Sequence, residues 1–187
     1  MAYKNRMILI MLIFLVLITV SFSSVCAADY TVSGSGFDDI QNTVDGASDN
    51  DNILLGTNTY TSSGNAITID GKNITIQGQS NTNRAKLDGR GLYRTIVVRE
   101  DASLTLRYID FVNGSQIDYH TLNIRGSLFI ENCSFKNCYG DSGPAIYVFE
   151  ESNSATIKDC SFINNHAANT GDNNYTSRRS NYFSRFI

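Results

Sequence analysis

The sequence predicts an all-β solenoid: a parallel β-helix of about four to six coils, here called rungs, with a short capping helix at its N-terminal end. Three observations favour this fold class. Similar segments recur at intervals of 24 and 27 residues, which is typical of a solenoid. Apolar residues in these segments alternate with period two, as in β-strands, and only short polar turns separate the strands.

The repeat is clearest at residues 128–135 (LFIENCSF) and 155–162 (ATIKDCSF), with an earlier copy at 104–111 (LTLRYIDF). Aligning these copies places Cys133 over Cys160 in an interior column. The alignment also predicts a phenylalanine column and an asparagine column two residues later: Phe111, Phe135 and Phe162, and Asn113, Asn137 and Asn164. Asparagine tolerates the left-handed conformation of a tight turn, and its amide can stack on the next rung.

An upstream strand precedes each copy of the repeat and shows the same alternation. Its two apolar columns are Ile67, Ile96, Leu122 and Ile146, and Ile69, Val98, Ile124 and Val148. Strands stacked in register lie about 4.8 Å apart, so each column forms a continuous row of like side chains. A single rung cannot bury its inner face alone, and the stack of rungs supplies the core.

Residues 38–47 (DDIQNTVDGA) break this pattern, because Ile40 and Val44 have helical spacing and acidic residues occupy the first turn. We expect a short amphipathic helix that covers the open end of the first rung, since an exposed β-edge invites pairing with other chains. A strand at Ile53–Leu55 and a turn at Gly56–Tyr60 are expected to follow.

The first 27 residues have the three-part order of a secretory signal peptide. Two basic residues precede the apolar run Met7–Val20, and small residues up to Ala27 or Ala28 offer cleavage sites. A helix of this length is about 21 Å long, short of the ~30 Å hydrocarbon core of a bilayer. The sequence therefore predicts a secreted or cell-surface protein that meets the membrane only through this leader, or through an uncleaved anchor that extends to Val25.

Charge excludes one class of partner. The formal net charge is −3, and removal of the leader with its two basic residues leaves 13 basic against 18 acidic residues. A protein that binds nucleic acid through phosphate contacts is expected to be basic. The sequence thus predicts no nucleic-acid partner.

We expect four segments: a signal peptide (1–27), an N-terminal cap (28–60), the rungs of the β-helix (61–170) and an irregular Arg-rich tail (171–187). The tail contains Arg178, Arg179 and Arg185 and has no recognisable repeat. This change of pattern favours a truncated or frameshifted reading frame over an unusual cap. A further hypothesis for the same change of pattern is that the chain is a nonfunctional remnant.

Several segments together resemble one family. Residues 37–47 are followed by DNILLGTNTYT, ITIDGKNITIQGQ, KLDGRGLYRTIVV, LTLRYIDFVNG and IENCSFKNC, which are similar to the adhesin-like surface proteins of methanogenic archaea over residues 29–170. The resemblance implies a right-handed parallel β-helix of the pectin-lyase-like group. It further implies glycans or surface proteins of other cells as partners. The matching residues are structural rather than catalytic.

The lack of a convergent catalytic set predicts a non-catalytic protein with no cofactor. The alternative is a small secreted polysaccharide lyase or glycoside hydrolase, with Asp88, Arg90, Asp118 and His120 as its candidate residues. Glycoside hydrolysis needs paired acids, and the acids of this chain do not cluster on one predicted face. The segment Leu87–Gly91 (LDGRG) also fits a turn that closes a rung.

Binding through loops is the other prediction, because solenoids recognise partners through stacked loops or a broad face. Two long loops, Asn113–Thr121 and Asn137–Pro144, hold a mixture of aromatic and polar residues. The candidate binding residues are Tyr119, His120, Tyr139 and Asp141. Solvated loops without a ligand are the plainer alternative.

The cysteines allow a metal site or a buried cluster of thiols. Cys133, Cys138, Cys160 and His166 have the residue types that could ligate a zinc ion. We predict no metal, because Cys133 and Cys160 fall in an interior column where a thiol behaves as a small hydrophobe. Free thiols are favoured there, although the distance between adjacent rungs would also permit a disulfide.

Three asparagines are candidate glycosylation sites in an exported chain: Asn73, Asn113 and Asn174. Asn132 also matches the acceptor pattern. We discount Asn132, because it is expected to lie inside a strand beside an interior cysteine.

Overall fold

The computed structural model describes residues 3–4, 6–7, 26–114, 120–140, 143–149 and 154–167, and the backbone of residues 175–177. Most of the predicted signal peptide lies outside these residues, as do Arg178, Arg179 and Arg185 of the predicted tail. Within the part of the chain that is described, no helix is long and apolar enough to cross a membrane.

Three parallel sheets carry the fold. Sheet A contains β1 (Asp29–Thr31), β2 (Asn52–Leu54), β5 (Asn73–Gln77), β8 (Ser103–Arg107), β11 (Ser127–Glu131) and β15 (Ser154–Lys158). Sheet B contains β3 (Thr59–Thr61), β6 (Ala85–Asp88), β9 (Ile109–Val112), β12 (Ser134–Lys136) and β16 (Ser161–Ile163). Sheet C contains β4 (Ile67–Ile69), β7 (Ile96–Val98), β10 (Leu122–Ile124), β14 (Ile146–Val148) and β18 (Tyr175–Ser177).

The chain passes from sheet A to sheet B to sheet C in each rung and then begins the next rung. The five strands of sheet B and of sheet C correspond to about five rungs. A short strand pair, β13 (Tyr139–Gly140) and β17 (His166–Ala167), joins the last two rungs between sheets B and C. The predicted fold class, a parallel β-helix of four to six rungs with a short N-terminal helix, is confirmed.

Register in sheet C matches the columns expected from the sequence. Along β4, β7, β10 and β14, the first residues of the strands lie opposite one another, and so do the last: Ile67, Ile96, Leu122 and Ile146, and Ile69, Val98, Ile124 and Val148. All but one of these eight side chains have no exposed surface, and Val148 is 5% exposed. Period-two alternation thus directs one face of each strand into a continuous core.

Left-handed residues turn the chain at two corners in each of three successive rungs, those that begin with β8, β11 and β15. Between sheets A and B these residues are Tyr108, Asn132 and Asp159, with φ of 57°, 53° and 49°. After sheet B they are Asn113, Asn137 and Asn164, with φ of 49°, 54° and 52°. Asn132 therefore lies at a corner and is half-buried, and the expectation that it lies inside a strand is wrong.

The first rung departs from the others because a helix replaces the strand of sheet C. Helix α1 (Phe37–Gly46) buries Phe37, Ile40 and Val44 in the core, as the helical spacing predicts. At its end, Lys72 Nζ donates to the carbonyl oxygens of Val44 and Ala47 at 3.2 and 2.9 Å. This ammonium group adds a donor at the C-terminal end of the helix, where carbonyls lack the regular hydrogen bond of the helix interior.

Strand β1 was not predicted by the sequence. Asp29–Thr31 pairs in parallel with Asn52–Leu54, although all three β1 residues are exposed. The buried carboxylate of Asp51 fixes the start of this strand by accepting hydrogen bonds from the backbone nitrogens of Ala28 and Ser48, each at 2.7 Å. Because both faces of β1 are exposed, its residues do not alternate between apolar and polar, and the sequence pattern could not predict the strand.

The part of the predicted irregular tail that the structure describes is a strand. The backbone of β18, Tyr175–Ser177, pairs in parallel with β14 and adds a fifth strand to sheet C. The apolar alternation of the earlier strands is absent from this segment (YTS), which explains why the repeat could not be followed into it.

Candidate binding cleft on the outer face of sheet C

A cleft of about 540 Å³ lies on the outer face of sheet C, next to helix α1. Its floor is formed by the central, outward-pointing residues of three successive strands, Thr68, Val97 and Asn123, which are in register. Asp38 and Gln41 of the helix line one end. Since the floor consists of stacked rungs, the cleft extends across several of them.

One wall of the cleft is a column that continues the strands of sheet C by one residue. Arg99, Arg125 and Phe149 line the cleft. The backbone nitrogens of Arg99, Arg125 and Phe149 donate to Ile69, Val98 and Ile124 carbonyls respectively, each at 2.9 Å. This ladder places the three side chains in register on successive rungs, about 4.8 Å apart.

Arg125 is held between an aromatic ring and a carboxylate. Its guanidinium carbon lies 4.2 Å from the centre of the Phe149 ring, which is a cation–π contact. Its Nη1 lies 3.6 Å from Oε1 of Glu100. The stacking on Phe149 limits the orientations that this guanidinium can adopt.

Tyr93 and Arg94 also line the cleft, and the Arg94 guanidinium carbon lies 5.5 Å from the Tyr93 ring centre. The three arginines in the lining, Arg94, Arg99 and Arg125, face a single lining carboxylate, that of Asp38. Among the described lining residues, positive charge therefore dominates.

The predicted binding residue His120 connects to this wall through stacked rings. His120 lies parallel to Tyr147 with ring centres 4.1 Å apart, and Tyr147 meets Phe149 edge-on at 4.8 Å. His120, Tyr147, Phe149 and Arg125 thus form a continuous row of aromatic and cationic groups. Two of the other binding candidates, Tyr119 and Asp141, lie outside the described residues.

Tyr139 does not lie in a loop, as the sequence suggested, but in strand β13. It is exposed, and its ring lies 4.9 Å from that of His166 in a tilted arrangement. The structure pairs Tyr139 with His166 on the neighbouring rung.

The residues considered for catalysis have structural partners. Asp88 Oδ1 accepts hydrogen bonds from the Arg90 backbone nitrogen at 2.8 Å and from Asn113 Nδ2 at 3.1 Å. Arg90 adopts a left-handed conformation with φ of 56°. This geometry is that of a turn that closes a rung and ties it to the next one. Asp118 lies outside the described residues.

Cys133, Cys138 and Cys160 are buried free thiols. Burial raises the pKa of each of them, so the thiolate form that would bind a metal is disfavoured. Among the residues that the structure describes, no group of three His, Cys, Asp or Glu side chains is arranged to hold a metal ion.

The phenylalanine column packs face to face. The ring centres of Phe111 and Phe135 are 4.8 Å apart, and those of Phe135 and Phe162 are 5.2 Å apart, with planes nearly parallel. Each ring lies over the next because the three strands are in register. The rings form the sheet B side of the core.

The asparagines of the predicted column turn the chain, and one of them, Asn113, also donates to Asp88 on the preceding rung. Asn165, outside this column, makes a similar link. Asn165 is buried, accepts a hydrogen bond from the Cys138 backbone nitrogen at 2.9 Å and donates to the Phe135 carbonyl at 3.1 Å. Asn137 and Asn164 themselves are exposed. The inward-facing Asn165 thus adds a further side-chain amide that ties one rung to the preceding one.

Two of the candidate glycosylation sites are described and exposed. Asn73 begins β5, whereas the Asn113 amide donates to Asp88. A glycan on Asn113 would compete with this hydrogen bond. Asn174 lies outside the described residues.

The sequence analysis did not identify the wall of the cleft formed by Arg99, Arg125 and Phe149. Arg99, Arg125 and Phe149 directly follow the apolar column residues Val98 and Ile124, and Val148 in the case of Phe149. Extending each aligned strand by one position would have brought the two arginines together. Nothing in the local pattern distinguishes them from ordinary solvated side chains.

Comparison with protein families shows that the model of the family described as right handed beta helix region matches residues 19–186. Its handedness is the one that the sequence resemblance implied. Comparison with curated proteins and with solved structures gave no match.

Proposed function

The chain belongs to the right-handed β-helix family, and on this scaffold we propose that it is a non-catalytic, adhesin-like protein that is exported to the cell surface and binds glycans. The observation that carries the proposal is the cleft on sheet C, where arginines and aromatic rings are stacked on successive rungs.

This cleft suits a chain-like polar ligand. Arg125 and Arg99 present several N–H donors, and the Phe149 ring offers an apolar surface for the C–H face of a sugar ring. Asn123 adds a side-chain amide on the floor. Because the rungs repeat about every 4.8 Å, a ligand with a repeating unit can make similar contacts with more than one of them.

The lining favours binding over hydrolysis. Glycoside hydrolysis uses two carboxyl groups on either side of the bond that is cleaved. Among the described lining residues, Asp38 is the single carboxylate, and it accepts a hydrogen bond from Ser63 Oγ at 2.8 Å. Glu100, which does not line the cleft, is ion-paired with Arg125.

Export is supported by the predicted leader, and display at the surface is supported by the resemblance to adhesin-like proteins. A β-helix holds its outer faces rigid, which suits display to glycans or surface proteins of other cells. Cells that express the full chain, treated with protease without lysis, should lose it if it is displayed. Protection of the chain until lysis would contradict surface location.

The alternative function is a polysaccharide lyase or glycoside hydrolase, which the arginines in the cleft also accommodate. Purified protein should be incubated with a panel of polysaccharides, and both binding and the release of reducing or unsaturated ends should be measured. We expect binding without release. Release that disappears in Asp88→Asn, which keeps an acceptor oxygen for the turn, would establish the enzymatic alternative.

A further inference from the structure

Strand β1 is the N-terminal edge of sheet A and pairs with β2 on one side only. In a parallel pair, alternate residues bond to the neighbouring strand. The Ala28 carbonyl and the Val32 nitrogen bond to residues of the β2 segment at 2.8 and 3.1 Å. The backbone groups of Asp29 and Thr31 therefore point away from β2, where no strand of the described chain pairs with them. Such an edge is a template for pairing with another chain.

A groove of about 370 Å³ lies between this strand and helix α1. Tyr30 lines it and is 37% exposed, although its partner in register, Ile53 of β2, has no exposed surface. On the helix side, a side chain built at Gly46 would meet no other atom within 4 Å. A strand added beside β1 thus finds room for the side chains that it directs toward the helix.

The first rung, which carries this groove, is strongly acidic. Residues 28–71 include seven acidic residues and no lysine, arginine or histidine, whereas residues 72–187 include 13 basic and 11 acidic residues. Asp29 begins β1 and Asp39 lines the groove. The first cation that follows in sequence, Lys72, donates to backbone carbonyls at the end of the helix. A concave surface with one sign of charge attracts ligands of the opposite sign, which favours a basic partner.

We propose that the edge of β1 binds an extended, basic peptide segment of a partner protein, which adds a strand to sheet A. Its backbone pairs with Asp29 and Thr31, and every second side chain enters the groove beside Tyr30. Strand addition takes its affinity from backbone hydrogen bonds and its specificity from the pockets for alternate side chains. This inference goes beyond the proposed glycan binding, because the groove and the cleft on sheet C share no described lining residue.

The test measures the binding of three labelled octapeptides to the purified protein by fluorescence anisotropy. The first alternates lysine with threonine. The second alternates lysine with proline, which keeps the charge but removes every second N–H donor. The third alternates glutamate with threonine and reverses the charge. The comparison of the two basic peptides tests strand pairing on the wild type, so it does not depend on the folding of any variant.

The central variant is Thr31→Pro. Because the Thr31 nitrogen points away from β2, proline removes a donor on the outer side of an edge strand, where proline is tolerated. Thr31→Ala is its matched control and keeps the donor. Asp29→Asn removes a charge and keeps an acceptor for the Asn52 amide, which lies 2.8 Å from Asp29 Oδ1. Asp159→Asn is the charge control, since this acid is exposed on the rung that begins with β15. Circular dichroism checks that each variant is folded.

We expect the lysine–threonine peptide to bind more tightly than either of the others and to weaken at high salt. Thr31→Pro should weaken it about tenfold, the loss expected for one backbone hydrogen bond, and Thr31→Ala less than about twofold. Asp29→Asn should weaken it by up to about fivefold, and Asp159→Asn by less than about twofold. Glycan binding should be the same in Thr31→Pro as in the wild type.

Three results would overturn the inference. Equal binding of the two basic peptides, unaffected by Thr31→Pro, would show attraction by charge without strand addition. Binding of the acidic peptide as tight as that of the basic ones would remove the basic partner. Self-association that is lost in Thr31→Pro, without binding of any peptide, would assign the edge to a second copy of the chain. Each of these results leaves glycan binding in the cleft as a separate question, which the polysaccharide panel answers.

Discussion

The side-chain amide of Gln41 pairs with the backbone of Thr68 as a neighbouring β-strand would. Gln41 Oε1 accepts from the Thr68 nitrogen at 2.6 Å, and Nε2 donates to the Thr68 carbonyl at 3.2 Å. Thr68 is the centre of β4, the first strand of sheet C, whose free edge faces helix α1. One side chain thereby satisfies a strand edge that would otherwise be available to other chains.

Gln41→Ala should lower the free energy of unfolding by about 1–2 kcal/mol, because two buried or half-buried backbone groups lose their partner. Gln41→Glu should also destabilise the protein, because it places a carboxylate oxygen against the Thr68 carbonyl and the Asp45 carboxylate, both of which accept a hydrogen bond from Nε2 of Gln41. Urea unfolding followed by circular dichroism measures both. Asn42→Ala, at the next and exposed position of the helix, is the control; an equal loss there would mean that helix propensity, not edge pairing, is being measured.

The stacked phenylalanines make a second prediction. Phe135 has no exposed surface and lies between Phe111 and Phe162. Phe135→Ala should therefore destabilise the protein by about 3–5 kcal/mol through loss of burial and formation of a cavity. Phe162→Ala should cost less, because Phe162 is only half-buried.

Thermal or urea unfolding distinguishes the two phenylalanine variants. Ile163→Ala serves as the control, since this neighbouring strand residue is 46% exposed. Equal losses for Phe135→Ala and Phe162→Ala would contradict the burial argument.

The left-handed corners make a third prediction. Asn137 has φ of 54°, a conformation that costs a residue with an ordinary side chain about 1–2 kcal/mol. Asn137→Ala should lower the free energy of unfolding by about 1 kcal/mol, and Asn137→Gly should lower it less, because glycine adopts this conformation freely. The midpoint of thermal unfolding should order the three proteins accordingly. An alanine variant as stable as the glycine variant would show that the corner is not strained.

The sequence predicted the columns of the core and could not predict the cleft. Ile67 and Ile96 could be aligned because burial of one face imposes period two on every strand. β1 carries no such signal, since its residues are exposed, and β13 is only two residues long. Arg99 and Arg125 are ordinary surface residues in sequence; only the stacking of rungs brings them together and places Phe149 beside them.

A charged row on the outer face of sheet A makes the last prediction. Glu131 lies in register between Arg107 and Lys158 on adjacent rungs. Its carboxylate is ion-paired with Lys158, and Oε2 lies 3.4 Å from Arg107 Nε. The hydrogen bond from Lys158, with a further contribution from Arg107, holds the pKa of Glu131 below its usual value.

Because the pKa of Glu131 is lower in the folded protein than in the unfolded chain, its ionised carboxylate stabilises the fold. This stabilisation is fully present above the unfolded pKa, about 4.3 for glutamate. It is lost as the pH falls through the folded pKa. Wild type should therefore exceed Glu131→Gln in stability by no more than about 1 kcal/mol at pH 7, since solvent screens the pair. The difference should vanish toward pH 3. Urea unfolding across this range measures it, with Asp70→Asn, an exposed acid directly after β4, as the control. A difference that stays constant from pH 7 to pH 3 would show that Glu131 acts through packing, because packing of the side chain does not depend on its ionisation.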